Sequence, residues 1–151
     1  MNERAVYHND ISLFYMSFKL NVVAGPSRSR IVANKASGTV ITEEQVIVKA
    51  ASGLSAPATS SAARSEIKGV STESISAGDA LTQLGINQIF ENDTYIADCT
   101  NNSNTAHTNQ RMVLTDSLTV NNTGTDDANG VVEQMGVYGA AADKKIIVRF
   151  V

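Results

Sequence analysis

The sequence predicts an all-β fold, a small β-barrel, β-tulip or sandwich with an extended N-terminal arm, and three observations carry that expectation. Short β-branched and aliphatic runs follow one another along the chain, separated by Gly, Pro, Asn, Asp and Ser turn signals. No stretch combines helical periodicity with caps. A strand-turn-strand phrase also occurs twice. Lys68-Gly69-Val70 leads through a Ser/Thr spacer to Ala77-Gly78-Asp79 and on to Ala80–Leu84, and Met135-Gly136-Val137 leads through Tyr138-Gly139 to Ala142-Asp143 and on to Ile146–Phe150. Glycine tolerates φ > 0 and Asp hydrogen-bonds nearby backbone, so Gly69, Gly78, Asp79, Gly130 and Gly136 are assigned as turn and scaffold positions rather than active-site groups.

In chain order, Met1–Asp10 is polar, and Ile11–Leu20 holds Phe14, Tyr15 and Phe18. Its even positions Phe14, Met16, Phe18 and Leu20 are apolar, and its odd ones include Ile11, Leu13 and Tyr15. Such a pattern suits a strand buried on one face and touching something on the other, or a short helix. Gly25-Pro26-Ser27 punctuates the chain, and Ser27–Asn34 continues as a polar, basic connector. Residues 1–34 are therefore expected to form an arm and 35–151 the compact domain; the alternative for the arm is an ordinary first strand of the core.

From Lys35 onward, strands are expected at Thr39–Ile41, Gln45–Val48, Ile67–Ser71, Ala80–Leu84 and Thr94–Cys99, then at Met112–Leu114, Ser117–Val120, Val131–Tyr138 and Lys144–Val151. Gly85–Phe90 fits either a strand or a helical turn. Pro57, in a small-residue loop, is excluded from a central ladder position. Thr100–Gln110 is a polar loop expected to be too poor in apolar groups to pack. Asn129-Gly130 is a hairpin signal.

Composition limits the functional classes. Hydrophobic residues make up 42% of the 151 positions but aromatics only 5%, without Trp, so the core must be built from Val, Ile, Leu and Ala. Charged residues, at 18%, fall below the roughly 25% of ordinary soluble domains, and Ser, Thr and Asn take their place. A net charge of −3 and only weak basic pairs, Arg28-Ser29-Arg30 and Lys144-Lys145, offer no footprint for nucleic acid. The longest apolar candidate, Ile11–Leu20, is broken by Ser12, Ser17 and Lys19 and is too short for a membrane helix, so no membrane partner is expected. The single Cys99 gives no internal disulfide and is expected as a small buried hydrophobe.

Catalytic and cofactor chemistry finds no footing in the residues. His8 and His107 fall in polar segments expected to be exposed, without rigid elements to position a triad. Glu43-Glu44 and Asp126-Asp127 are adjacent, so on a strand each pair would point to opposite faces. Asp126–Gly130 resembles a calcium loop but is followed by Val131 and Val132 instead of oxygen ligands. No enzyme activity, metal or other cofactor is expected.

The stretch from Lys35 to Val151 resembles the head-decoration, or capsid cement, proteins of tailed bacteriophages. The residues that carry the resemblance are Pro57-Ala58-Thr59, Ile67-Lys68-Gly69-Val70, Ser74–Asp79 and Gly85-Ile86, with Met135–Ala140 and Ile147–Phe150 as the closing hairpin. The resemblance implies a non-enzymatic virion protein, made in the host cytoplasm, on the outer face of an icosahedral shell. It would be a homo-oligomer, with a trimer favoured, clamping neighbouring major capsid protein subunits. In that reading Tyr7, Ile11, Leu13, Phe14, Tyr15, Met16 and Phe18 of the arm contact the partner by adding a strand to an exposed sheet edge. The competing readings are a tail or head-completion component and a glycan-binding surface module using loops 100–110 and 121–130.

Overall fold

The computed structural model describes residues 18–20, 30–79, 82–90, 92–124 and 126–151, and these form an all-β structure of two sheets. Eleven strands are described: β1 (Phe18–Leu20), β2 (Arg30–Asn34), β3 (Val46–Lys49), β4 (Ser55–Pro57), β5 (Ile67–Ser71), β6 (Gln83–Gln88), β7 (Thr94–Cys99), β8 (Arg111–Met112), β9 (Thr119–Val120), β10 (Val132–Val137) and β11 (Lys145–Phe150). The helical segments described are single 3₁₀ turns at Arg64–Glu66, Thr105–His107 and Ala141–Asp143.

One sheet has the order β2-β6-β5-β3-β4 and curls into a nearly closed barrel. A parallel bridge between Lys35 and Ser55, with the Ala36 N–H donating to the Ser55 carbonyl at 3.0 Å, joins its two edge strands at one end. Ile41, Ile47, Ile75, Leu84 and Ile86 fill its interior, with Ala33 packed against them. Each such buried aliphatic side chain contributes about 1.5–3 kcal/mol. Pro57 sits on edge strand β4, where its missing N–H costs no ladder bond.

The other sheet runs β1-β7-β11-β10-β8, with β9 parallel to β7. Strict alternation on β11 and β7 sends Ile146, Val148, Phe150, Tyr95, Ala97 and Cys99 inward. These meet Val46, Ile67 and Val70 from the barrel, so β3 is buried on both faces, Val46 toward this core and Ile47 into the barrel. A bulge opposite the Ile47/Val48 step puts Ile67 and Val70 on the same face despite their odd spacing. Cross-strand pairs lace the outer face of this sheet: Lys145 with Asp98 at 2.8 Å and Arg149 with Glu133 at 2.7 Å.

Both copies of the doubled phrase fold as antiparallel pairs, β5 with β6 and β10 with β11. The strands at Ile67–Ser71 and Thr94–Cys99 have the expected bounds. Other expectations need correction. Ser27–Asn34 is not all connector, because Arg30–Asn34 pairs with β6. Thr39–Ile41 supplies only a bridge, Ile41 to Ile75. Gly85–Gln88 belongs to the strand begun at Gln83 rather than to a separate element. Asn129-Gly130 closes no hairpin between consecutive strands; β10 pairs with β8 and β11, and the Asp127–Gly130 turn folds back on β8.

Candidate partner-binding surface

The barrel closes at one end and stays open along β2. The Lys35 N–H donates to the Thr82 carbonyl at 2.7 Å, and β2 pairs with β6 in the register Ile31↔Ile86, Val32↔Gly85, Ala33↔Leu84. In an antiparallel ladder hydrogen-bonded pairs alternate, so Ile31 and Ala33 bond toward β6 while the N–H and C=O of Val32 and Asn34 point away from it. The Gly85 carbonyl confirms the phase, since it accepts from Thr72 on the opposite side at 3.0 Å. Side chains follow the same alternation: Ala33 lies against the barrel interior, and Val32 stands outside, 61% exposed. Ile31 is 36% exposed, and Val40, in the loop that follows β2, is 56% exposed. An edge strand with outward backbone groups and an exposed β-branched side chain is a template for a further strand.

Of the residues assigned to partner contact, Tyr7, Ile11, Leu13, Phe14, Tyr15 and Met16 lie outside the described residues. Phe18 lies in the core of the described structure. It is 1% exposed, its ring 5.8 Å from that of Phe150, and β1 pairs with β7 through Phe18↔Ala97. Phe150 in turn meets Tyr95 edge-on at 5.4 Å. The cause is the shortage of aromatics: a large ring beside aliphatic strands gains most by filling the core. Together with Arg30–Asn34, this places both described stretches of 1–34 within the sheets.

The turn positions divide by physical role. At Gly69 a Cβ would overlap the carbonyl oxygen of Asn87 and the side chain of Ile86, so glycine is what lets β5 lie against β6. At Gly130 a Cβ would lie 2.6 Å from the Met112 nitrogen, so glycine there lets the 126–131 loop rest on β8. Gly78 and Gly136 have open space where a Cβ would go and no left-handed φ, so neither position requires glycine. Asp79 ends a turn through its own N–H to the Ser76 carbonyl at 3.2 Å. In the second copy Asp143 caps backward, Oδ2 accepting from the Ala140 N–H at 2.8 Å, beside Gly139 at φ 75°.

Loop 100–110 is packed, contrary to expectation, by amides in place of hydrocarbon. Buried Asn122 accepts from the Asn101 N–H at 2.8 Å and donates to the carbonyls of Asn101 and Asn102, both at 3.2 Å. Buried Gln134 donates to the Asn104 carbonyl at 2.7 Å. His107 is half-buried within this loop rather than fully exposed. Glu43 is exposed, and Glu44, at φ 66°, bonds β1 and β5 through its backbone. Burial pushes the Cys99 thiol up to about 11, Asp98 adding to the shift and Lys144 and Lys145 opposing it, so the thiol is neutral at physiological pH.

The fold thus defines a class, an all-β protein in which a nearly closed five-stranded barrel packs on a second sheet. In comparisons with known proteins, neither a family model nor a curated sequence matches the chain.

Proposed function

We propose that this chain is a non-enzymatic structural protein that binds the outer surface of an icosahedral phage shell and stabilises it by clamping neighbouring major capsid subunits. The observation that carries the reading is the open β2 edge. Its outward backbone groups at Val32, and the exposed Val32 side chain, would receive an extended segment of a shell subunit as an added strand. The rest of the barrel is rigid enough to hold that edge in place, being closed at Lys35–Ser55 and filled with aliphatic side chains. A trimer presenting several such edges would gain from effective concentration, each docked edge raising the occupancy of the next. Because the shell, and not the free subunit, offers all the sites at once, binding stabilises the assembled lattice by linkage.

The test is co-sedimentation of the purified chain with undecorated shells, together with its solution mass. Saturation at a fixed copy number per shell supports the reading, and the mass reports the oligomer. Val32→Pro removes an outward N–H and blocks strand addition without entering the core, so it should abolish co-sedimentation while leaving the melting temperature nearly unchanged. A truncation meant to test the N-terminal segment must stop before Phe18, since deleting that ring opens the core. A full chain that never sediments with shells overturns the proposal.

A further inference from the structure

A second surface, away from the β2 edge, has the chemistry of a binding site. A cleft of about 620 Å³ opens between the 60–64 segment and the 126–131 loop. Its first wall is fixed by the Thr59–Asp116 bridge, by the Ala62 N–H to the Thr59 carbonyl at 3.1 Å, and by Glu66, whose carboxylate accepts from the Ala63 N–H at 3.1 Å. Its second wall is the loop that Gly130 allows to rest on β8. Asp126 accepts from the Arg111 N–H at 2.6 Å, the Asp127 N–H donates to the Arg111 carbonyl at 3.0 Å, and the Val131 N–H donates to the Met112 carbonyl at 3.0 Å.

One arginine stands on each side. Arg64 is half-buried, its guanidinium 5.9 Å from the centroid of the Phe150 ring, which positions it without neutralising it. Arg111 is exposed on β8. Neither has a carboxylate partner among the described residues, whereas Lys145 and Arg149 are paired on the outer face. Asp127 shares the cleft; its Oδ1 accepts from the Asn129 N–H at 2.8 Å, leaving the other oxygen as an acceptor. Ser60 and Asn129 add a hydroxyl and an amide.

We infer that this cleft binds an acidic sugar, a saccharide carrying a carboxylate. The guanidinium forks match a carboxylate bidentately. Asp127 selects among anions: it would repel a bare carboxylate or phosphate but accepts hydrogen bonds from the hydroxyls that flank the acid group on a sugar ring. An acidic peptide side chain has no hydroxyl beside its carboxylate and could meet Asp127 only through a backbone N–H. The mixed donor and acceptor lining, concave rather than edge-like, fits a small polyhydroxylated acid better than an extended strand. With no aromatic platform in the cleft, single-sugar affinity should be roughly millimolar. The inference stands whether or not the chain binds a shell.

The experiment is a ¹H–¹⁵N NMR titration of the full chain with sodium glucuronate, glucose and sodium acetate at matched ionic strength. Glucuronate should shift the amides of 60–64, 111 and 127–131 saturably, glucose should not, and acetate should bind about tenfold more weakly or worse. Arg111→Ala, which removes an exposed side chain, should weaken glucuronate at least tenfold, and Arg64→Lys, which keeps charge and stem packing, should weaken it less. Asp127→Asn should narrow the gap between glucuronate and acetate. Acetate binding as tightly as glucuronate, glucuronate shifts unchanged in Arg111→Ala, or no saturable shift by about 50 mM would each overturn it.

Discussion

The barrel and the loop-bearing end of the second sheet are stabilised by different materials. In the barrel, Ile41, Ile47, Ile75, Leu84 and Ile86 fill the interior. At the other end, Asn122 and Gln134, both buried, hold the 100–110 loop through bonds to backbone carbonyls. The difference follows from direction. Aliphatic packing is non-directional and rewards closure, so it forms the barrel from strands that are otherwise unremarkable in sequence. A polar loop has no hydrocarbon to bury, and only groups that satisfy its orphan carbonyls can fix it. An open edge on the first half and a built-up loop surface on the second are the consequences.

The most damaging single change should be Gly69→Ala. The new methyl would meet the Asn87 carbonyl across the β5–β6 pair, backbone against side chain, where neither can move without parting the strands. A loss of about 3 kcal/mol is expected, read from the urea midpoint. If the loss is within a few tenths of a kcal/mol, the barrel wall is more yielding than its packing implies.

Asn122→Leu attacks the other half. It removes one acceptor and two donors, leaving the Asn101 N–H and the Asn102 carbonyl without their Asn122 bonds and the Asn101 carbonyl with only the weak Cys99 thiol, at a cost of about 2 kcal/mol. The sharper readout is hydrogen exchange: amides of 100–104 should exchange faster while those of β3 and β6 keep their protection relative to the global stability. Uniform acceleration through both regions would mean that the two halves do not differ as argued.

How much of this was legible in the sequence follows the same division. β5 and β7 could be bounded from residue types because their alternation and their β-branched content agree. β2 was hidden behind Arg28-Ser29-Arg30, whose basic character masked Ile31-Val32-Ala33, a run whose partner β6 lies far along the chain. The packing of loop 100–110 was illegible because its anchors, Asn122 and Gln134, look like any other polar residues until the fold brings them underneath. Arg64 and Arg111 carry no local signal at all; they share a cleft only after β8 and the 60–64 segment are in place. The burial of Phe18 is equally silent locally, since its neighbours form an apolar run and the ring it packs on, Phe150, lies at the far end of the chain.

Cys99 tests whether the loop-bearing end is as dry as the barrel. Its thiol is raised from an ordinary 9.0 to about 11 by burial first and by Asp98 second, and its Sγ lies 3.1 Å from the Asn101 carbonyl. The folded state therefore holds a proton that the unfolded chain releases, and stability should be intact below pH 9 and fall between about pH 9 and 11. At pH 10 the loss attributable to this group is about 1 kcal/mol, and Cys99→Ala should remove that part of the decline. A thiol reagent should modify Cys99 at neutral pH only on unfolding. Rapid modification of the folded protein would show water reaching the end of β7.

The smallest effect is expected at the turn between β10 and β11. Lys144 adopts φ 53°, the left-handed region that costs a side-chain-bearing residue more than glycine, and its exposed side chain offers in return only a 3.3 Å bond from Nζ to the Thr100 carbonyl. Lys144→Gly should stabilise the fold by a few tenths of a kcal/mol, read as a higher urea midpoint, the relief of strain being offset in part by the greater freedom of glycine in the unfolded chain. A loss of stability instead would mean that the Lys144–Thr100 bond is a genuine clamp between the hairpin and the polar loop. The loop-bearing end would then rest on side-chain bonds from two directions, from Asn122 beneath and from Lys144 above.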